Sequence, residues 1–222
     1  MRALSLSSAA VDLARLGRQF YDRGWVMGTS GNFSVVLARS PLRLAITASS
    51  VHKGTLASAQ ILKLNDQGRV HGHRTPYRPS AEAALHLEII RKRDAGSVLH
   101  THSVWSTLLS DLHATSGVLR IANYEMLKGL TGVTTHEHEE VIPILDNDQD
   151  MTRLSARLGA TLDEYPSAKA ILLRRHGLYT WGATLADAER HIEILEFLFE
   201  TVGRTAGLTS SSEVRHGVGT NS

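Results

Sequence analysis

In the stretch SVLHTHSVW, residues 97–105, two histidines stand one residue apart at the end of an apolar run. Side chains of an extended strand alternate between faces, so Val98, His100 and His102 are expected to point one way and Leu99 and Thr101 the other. Two imidazoles on one face suit a divalent metal, but a tetrahedral site needs at least one further protein donor. The chain contains no cysteine. That excludes a disulfide framework and thiolate ligation and leaves His, Asp and Glu as the available donors.

Context sorts the remaining histidines. His52, His71, His73 and His216 stand in polar segments, and His86 and His191 fall on helical patterns where packing or exposure explains them. His136 and His138, in TTHEHEEV, repeat the spacing of the first pair, but they lie in a charged loop with no apolar strand before it. Ligating histidines need rigid elements and an ordered second layer of partners. His176 meets that condition: it follows the apolar run AILLRR and precedes Gly177, where the backbone can bend and leave a concavity. His100, His102 and His176 are therefore the candidate three-histidine zinc site with an open fourth position.

Two carboxylates are candidates to work beside such a metal. Glu82 is expected in the first turn of a helix entered through Ser80, and Glu125 at the start of a short helix in ANYEMLKG; the helix dipole accounts for either equally well. The segments GTSGNFS (28–34) and ITASSVHKG (46–54) offer backbone N–H groups, hydroxyls and the Lys53 ammonium to a phosphate, or else form two ordinary turns.

The elements that must position these residues follow from periodicity. Val11, Leu13, Ala14, Leu16 and Phe20 give the N-terminus the spacing of one amphipathic helix, without the unbroken apolar core of a signal peptide or membrane span. NFSVVLA and LRLAITA flank RSP as a hairpin, and ILKLND adds a strand. SAEAALHLEIIRKR reads as a helix with Ser80 as N-cap. Helices are also expected over SVWSTLLSDL, near YEMLKGL, over DMTRLSARLGATLDEY and over TLADAERHIEILEFLFETVGR. Strands are expected near GVLRIA, at EVIPILD, and as a pair within AKAILLRRHGLYTWG that joins near His176. Strands and helices mixed throughout predict an α/β three-layer sandwich, with a central, mainly antiparallel or mixed sheet between helices. Residues 1–206 are expected to form a single domain and 207–222 a polar, flexible tail. The 222 residues are 42% hydrophobic, enough for a substantial core, and 24 basic residues against 22 acidic ones include no basic block. Nucleic acid and membrane are therefore not expected as partners, and a reducing cytoplasm is the expected location.

The order of TSGNFS, ITASSVHKG, RPSAE, LHTHS and RHGLYTWG, across residues from about 28 to 182, resembles the class II aldolase/adducin family. The longer segments GVTTHEHEEVIPILDNDQD and EFLFE resemble its sugar-phosphate dehydratase members. The resemblance implies one Zn2+ per subunit on His100, His102 and His176, in agreement with the trio reached from spacing. It implies that Glu125 is the acid/base residue and places Glu82 where the family's aldolases carry their catalytic glutamate. It puts Gly31, Asn32, Ser49, Ser50 and Ser80 around a substrate phosphate, with Lys53 and Lys128 as cationic helpers. It further implies a homotetramer with sites near subunit boundaries, and zinc-dependent loss of water from 5-methylthioribulose 1-phosphate in methionine salvage. Retro-aldol cleavage of a sugar phosphate, 4-epimerisation of ribulose phosphate, and a non-enzymatic adducin-like assembly module are the alternatives on the same scaffold.

Overall fold

The computed structural model describes residues 4–72 and 75–216, with side chains of the last helix described as far as Leu208. His73, the side chain of His216 and residues 217–222 of the expected tail lie outside the described residues. In chain order the elements are α1 (Leu6–Asp22), β1 (Asn32–Arg39), β2 (Leu42–Thr47), β3 (Ile61–Asn65), α2 (Ala83–Arg93), β4 (Ser97–Thr101), α3 (Val104–Leu112), β5 (Val118–Ala122), β6 (Glu139–Leu145), α4 (Met151–Glu164), β7 (Ala170–Leu173), β8 (Gly177–Gly182) and α5 (Leu185–His216).

The eight strands form one sheet in the order β3-β2-β1-β4-β8-β7-β6-β5. Every neighbouring pair is antiparallel except β6 with β7, the mixed sheet that the run of adjacent strands implied. Helices cover both faces, as side-chain alternation shows on β4. Thr101 reaches Glu196 of α5 on one face, while the His100 ring on the other stacks on Tyr179, which in turn meets His86 of α2 edge-on. The helix α1 lies beside α5 through the Arg15–Glu189 and Arg23–Glu193 ion pairs and buries Ala9, Leu13, Leu16 and Phe20 against the sheet. Its N-cap is Ser5, whose Oγ accepts from the Ser8 N–H. Among the described residues no helix is long and apolar enough to cross a membrane.

Several local expectations are corrected. Strand β4 stops at Thr101, so His102 lies just beyond it, in the link to α3 that Ser103 caps. The helix α2 begins at Ala83 with Glu82 in the N-cap position, not at Ser80. The Ser80 hydroxyl instead accepts from the Glu82 N–H in the turn before the helix, because Pro79 is held in a bridge to Ala48 and the chain must turn before it can coil. His176 sits in the turn between β7 and β8 and does not end a strand. The segment opening at Glu125 is a 3-10 turn, Glu125–Gly129. Helix α5 runs on through residues 207–216, which composition assigned to the tail.

Candidate metal centre

The two innermost strands carry the site. β4 is buried along its whole length and pairs with β8 so that His100 faces Tyr179 and Thr101 faces Leu178. The strands approach so closely here that a Cβ on Gly177 would lie 2.0 Å from the Thr101 carbonyl oxygen, so only glycine fits. The turn ahead of Gly177 is pinned by α3. The Arg175 N–H donates to Ser110 Oγ, the Thr107 hydroxyl donates to the His176 carbonyl, and Asp111 pairs with both Arg174 and Arg175. His102 is held through its own N–H, which donates to the Trp25 carbonyl.

These anchors bring three imidazoles to one point. The Nε2 atoms of His100 and His102 are 2.8 Å apart, those of His102 and His176 3.1 Å, and those of His100 and His176 3.3 Å. Three nitrogens at 2.0–2.1 Å from a tetrahedral zinc would stand about 3.3 Å from one another, close to this spacing. His100 Nδ1 must carry the proton, because it faces the Leu178 carbonyl at 2.9 Å, and its Nε2 lone pair is thereby aimed at the other two rings. Burial pushes the His102 pKa down to about 4 and that of His100 well below its ordinary value, so both present free lone pairs at neutral pH. The donor set and its spacing fit a divalent metal. Among the described residues this is the one group of three such donors that converges. The second histidine pair does not: His138 pairs with buried Glu140, and His136 faces Glu125 at 3.9 Å.

Glu82 stands against the triad. Its Oε1 is 3.3 Å from His176 Nε2 and 3.9 Å from His100 Nε2, and its Oε2 accepts from Asn32 Nδ2. Burial alone would raise its pKa. The hydrogen bond from His176, the neighbouring imidazoles and the Asn32 amide outweigh that and hold the carboxyl well below the usual range. Glu82 and His102 also line a small cavity with Gly31, Asn32, Ser49, Ser50 and Ser80, so five residues assigned to a phosphate from the sequence lie together beside the triad. Gly31 has φ of +72°, and a Cβ there would meet the His100 carbonyl oxygen at 2.7 Å.

The other candidates are not brought to this cavity. Lys53 is buried beneath it, donating to the carbonyls of Thr29 and Val51, and burial pushes its pKa down to about 8 against the opposing charge of Glu82. Lys128 and Glu125 pair with each other at 2.7 Å on an exposed turn, and that bond lowers the Glu125 pKa. Within one chain Glu125 contacts Lys128 and His136 and none of the triad.

Sequence reading missed the groups behind Glu82. Asn32 Oδ1 is bonded to His86 Nε2, and His86 Nδ1 to Ser34 Oγ. The signal was present as a histidine four residues after Glu82 on the apolar face of AALHLEII, but a buried histidine on a helix reads first as packing.

A mainly antiparallel sheet between helices, with three histidines, one buried and two half-buried, converging where its central strands meet, defines an α/β sandwich built around a metal-type site. The chain belongs to the class II aldolase and adducin family: the model of the Class II Aldolase and Adducin N-terminal domain matches residues 11–202. It is 41% identical over 206 residues to a methylthioribulose-1-phosphate dehydratase of Sorangium cellulosum (strain So ce56), covering 92% of this chain and 96% of that one. A protein of the same name from Methylococcus capsulatus is 42% identical over 209 residues, with coverages of 94% and 99%. Among solved structures an L-fuculose 1-phosphate aldolase superposes with a TM-score of 0.75 at 19% identity, covering 94% of this chain and 91% of that one, a likeness of fold alone.

Proposed function

We propose that this chain removes water from 5-methylthioribulose 1-phosphate, yielding 5-methylthio-2,3-diketopentyl 1-phosphate in methionine salvage, with one Zn2+ per subunit on His100, His102 and His176. The observation that carries the reading is the convergence of three imidazole Nε2 atoms beside a polar cavity, in a chain whose relatives at 41–42% identity bear that dehydratase name. A zinc ion at the triad would supply Lewis acidity to the ketose carbonyl and so acidify the proton on C3.

The rest falls to the protein. Gly31, Asn32, Ser49, Ser50 and Ser80 form the phosphate cradle, where hydroxyls and backbone N–H groups donate to the phosphate oxygens and the Lys53 charge lies beneath. Glu125 takes the C3 proton and returns one to the C4 hydroxyl, which leaves as water; the C3 enol left behind ketonises by moving its hydroxyl proton to C4, so the skeleton loses one H2O and keeps its phosphate. Because Glu125 lies away from the triad in its own chain, a second copy supplies it, with Lys128 beside it. A cavity of about 80 Å³, far below the size of typical small-molecule sites, supports completion by a neighbour in a homotetramer. Residues 1–206 act as one catalytic domain, and the lack of cysteine suits a reducing cytoplasm.

One observation favours a second reading. Glu82, the carboxylate that adjoins the triad, is where a retro-aldol acid/base would stand. Mass analysis of the products from the zinc-loaded protein and 5-methylthioribulose 1-phosphate separates the two. Loss of one water, abolished by a chelator, supports the dehydratase; two smaller fragments indicate the aldolase. A purified protein free of metal and inert toward sugar phosphates would point instead to an assembly module.

A further inference from the structure

Behind Glu82 a line of side chains runs into the sheet. Asn32 Nδ2 donates to Glu82 Oε2, Asn32 Oδ1 meets His86 Nε2, and His86 Nδ1 lies 2.7 Å from Ser34 Oγ. Asn32, His86 and Ser34 are all buried, with no exposed surface on His86 or Ser34. Water is excluded from His86 and Ser34, so their polar atoms depend on protein partners.

The polarity of the whole line follows from one charge. An ionised carboxylate only accepts, so the Asn32 amide must turn its NH2 toward Glu82 and its carbonyl toward His86. Two acceptors cannot face each other, so His86 Nε2 must carry the proton. Burial keeps His86 neutral, with its pKa down to about 4, and leaves it that one proton. Its Nδ1 is then an acceptor, and the Ser34 hydroxyl must donate to it in preference to the Val98 carbonyl, 3.4 Å away. The His86 ring is itself fixed edge-on to Tyr179, the residue that stacks on His100.

We propose that His86 is a positioning residue: as its Nε2–H tautomer, held by Ser34, it locks the Asn32 amide and through it the Glu82 carboxylate against the histidine triad. The opposite tautomer would leave the Asn32 carbonyl facing an Nε2 lone pair or, after an amide flip, facing the carboxylate. Either is a buried unpaired polar contact of the kind proteins avoid. The inference rests on the proposed function only in placing Glu82 at a reacting centre.

The test begins with the full-length protein labelled with nitrogen-15 at histidine, with and without zinc. Long-range proton–nitrogen correlation spectra report the tautomer of each ring, and the His86 signal is assigned by its loss in His86→Gln. A neutral Nε2–H ring between about pH 6 and 8 is expected; an Nδ1–H ring or an imidazolium overturns the proposal whatever reaction the protein performs. Two variants then separate positioning from packing. His86→Phe keeps a ring and removes both nitrogens, whereas Gln returns an amide N–H close to the place of Nε2. Phe should lower kcat about 10- to 100-fold at parental zinc content, Gln should recover most of it, and Phe should add little in a Glu82→Gln background. Parental turnover in the Phe variant, or full additivity with Glu82→Gln, also overturns it. A parent protein without turnover on any sugar phosphate would sink the proposed function and leave the tautomer readout standing.

Discussion

Glu82 Oε1 lies 3.3 Å from His176 Nε2, which puts a carboxylate beside the three-histidine pocket without help from any other chain. Glu125, the residue that the family resemblance assigns to proton transfer, has 71% of its side chain exposed and is paired with Lys128. The two carboxylates therefore differ in how they reach the chemistry, and they can be separated by experiment.

If Glu125 moves the proton, Glu125→Gln should lower turnover by roughly two to four orders of magnitude at unchanged zinc content, with a smaller loss from Glu82→Gln. Steady-state kinetics and metal analysis on the two variants decide it. The reverse ordering would move the assignment to Glu82 and to carbon–carbon cleavage.

If Glu125 serves a neighbour's triad, two inactive variants should complement each other. Glu125→Gln and His176→Ala chains, dissociated and reassembled together, should regain a fraction of parental activity, because some sites then combine an intact triad with an intact Glu125. Mixed assemblies of confirmed composition that stay inactive would place both groups in one chain.

Gly177→Ala should cost stability and metal together. Its Cβ would overlap the Thr101 carbonyl 2.0 Å away, forcing β8 from β4 at the residue that follows His176. A loss of roughly 1–3 kcal/mol is the usual scale for such overpacking. Denaturant midpoints and zinc stoichiometry should fall in the same variant, and a parental value of either would contradict this account of the turn.

Glu196 sets a pH dependence. Burial pushes its pKa up to about 7 from an ordinary 4.5, against hydrogen bonds from Ser103 and Thr101. The folded state therefore keeps a proton that the unfolded chain has released. The stability this group contributes is fully present below about pH 4.5 and is lost as pH rises through about 7. Glu196→Gln keeps an acceptor for the Thr101 hydroxyl and removes the titration. Unfolding free energies from urea titrations across this range should fall for the parent relative to the variant, by up to roughly 3 kcal/mol in the limit; parallel curves would show that Glu196 does not titrate there.

Much of the architecture was legible because apolar spacing reports which face of an element is buried, and that holds whatever the element packs against. The strands of the sheet and the five helices follow from it, with errors of a turn or a few residues at their ends. Ends are set by partners that spacing does not record. Pro79, bridged to Ala48, moves the start of α2 to Ala83, and residues that composition reads as polar tail continue α5.

The sequence by itself determined the donor set. His100 and His102 share a strand-end spacing, His176 precedes a glycine, and the absence of cysteine leaves nothing softer to compete. It also determined the loops that supply hydroxyls and glycines next to that set. Only the tertiary structure decided how those residues are used. It put Glu82 rather than Glu125 against the triad, placed Lys53 outside the cavity lined by Gly31, Asn32, Ser49, Ser50 and Ser80, and gave His86 hydrogen-bond partners in Asn32 and Ser34. The physical reason is that donor chemistry is a property of residue type and local spacing. Burial, pairing and the direction of a hydrogen bond depend on groups brought from distant parts of the chain, here from β1, α2, β4 and the turn before β8.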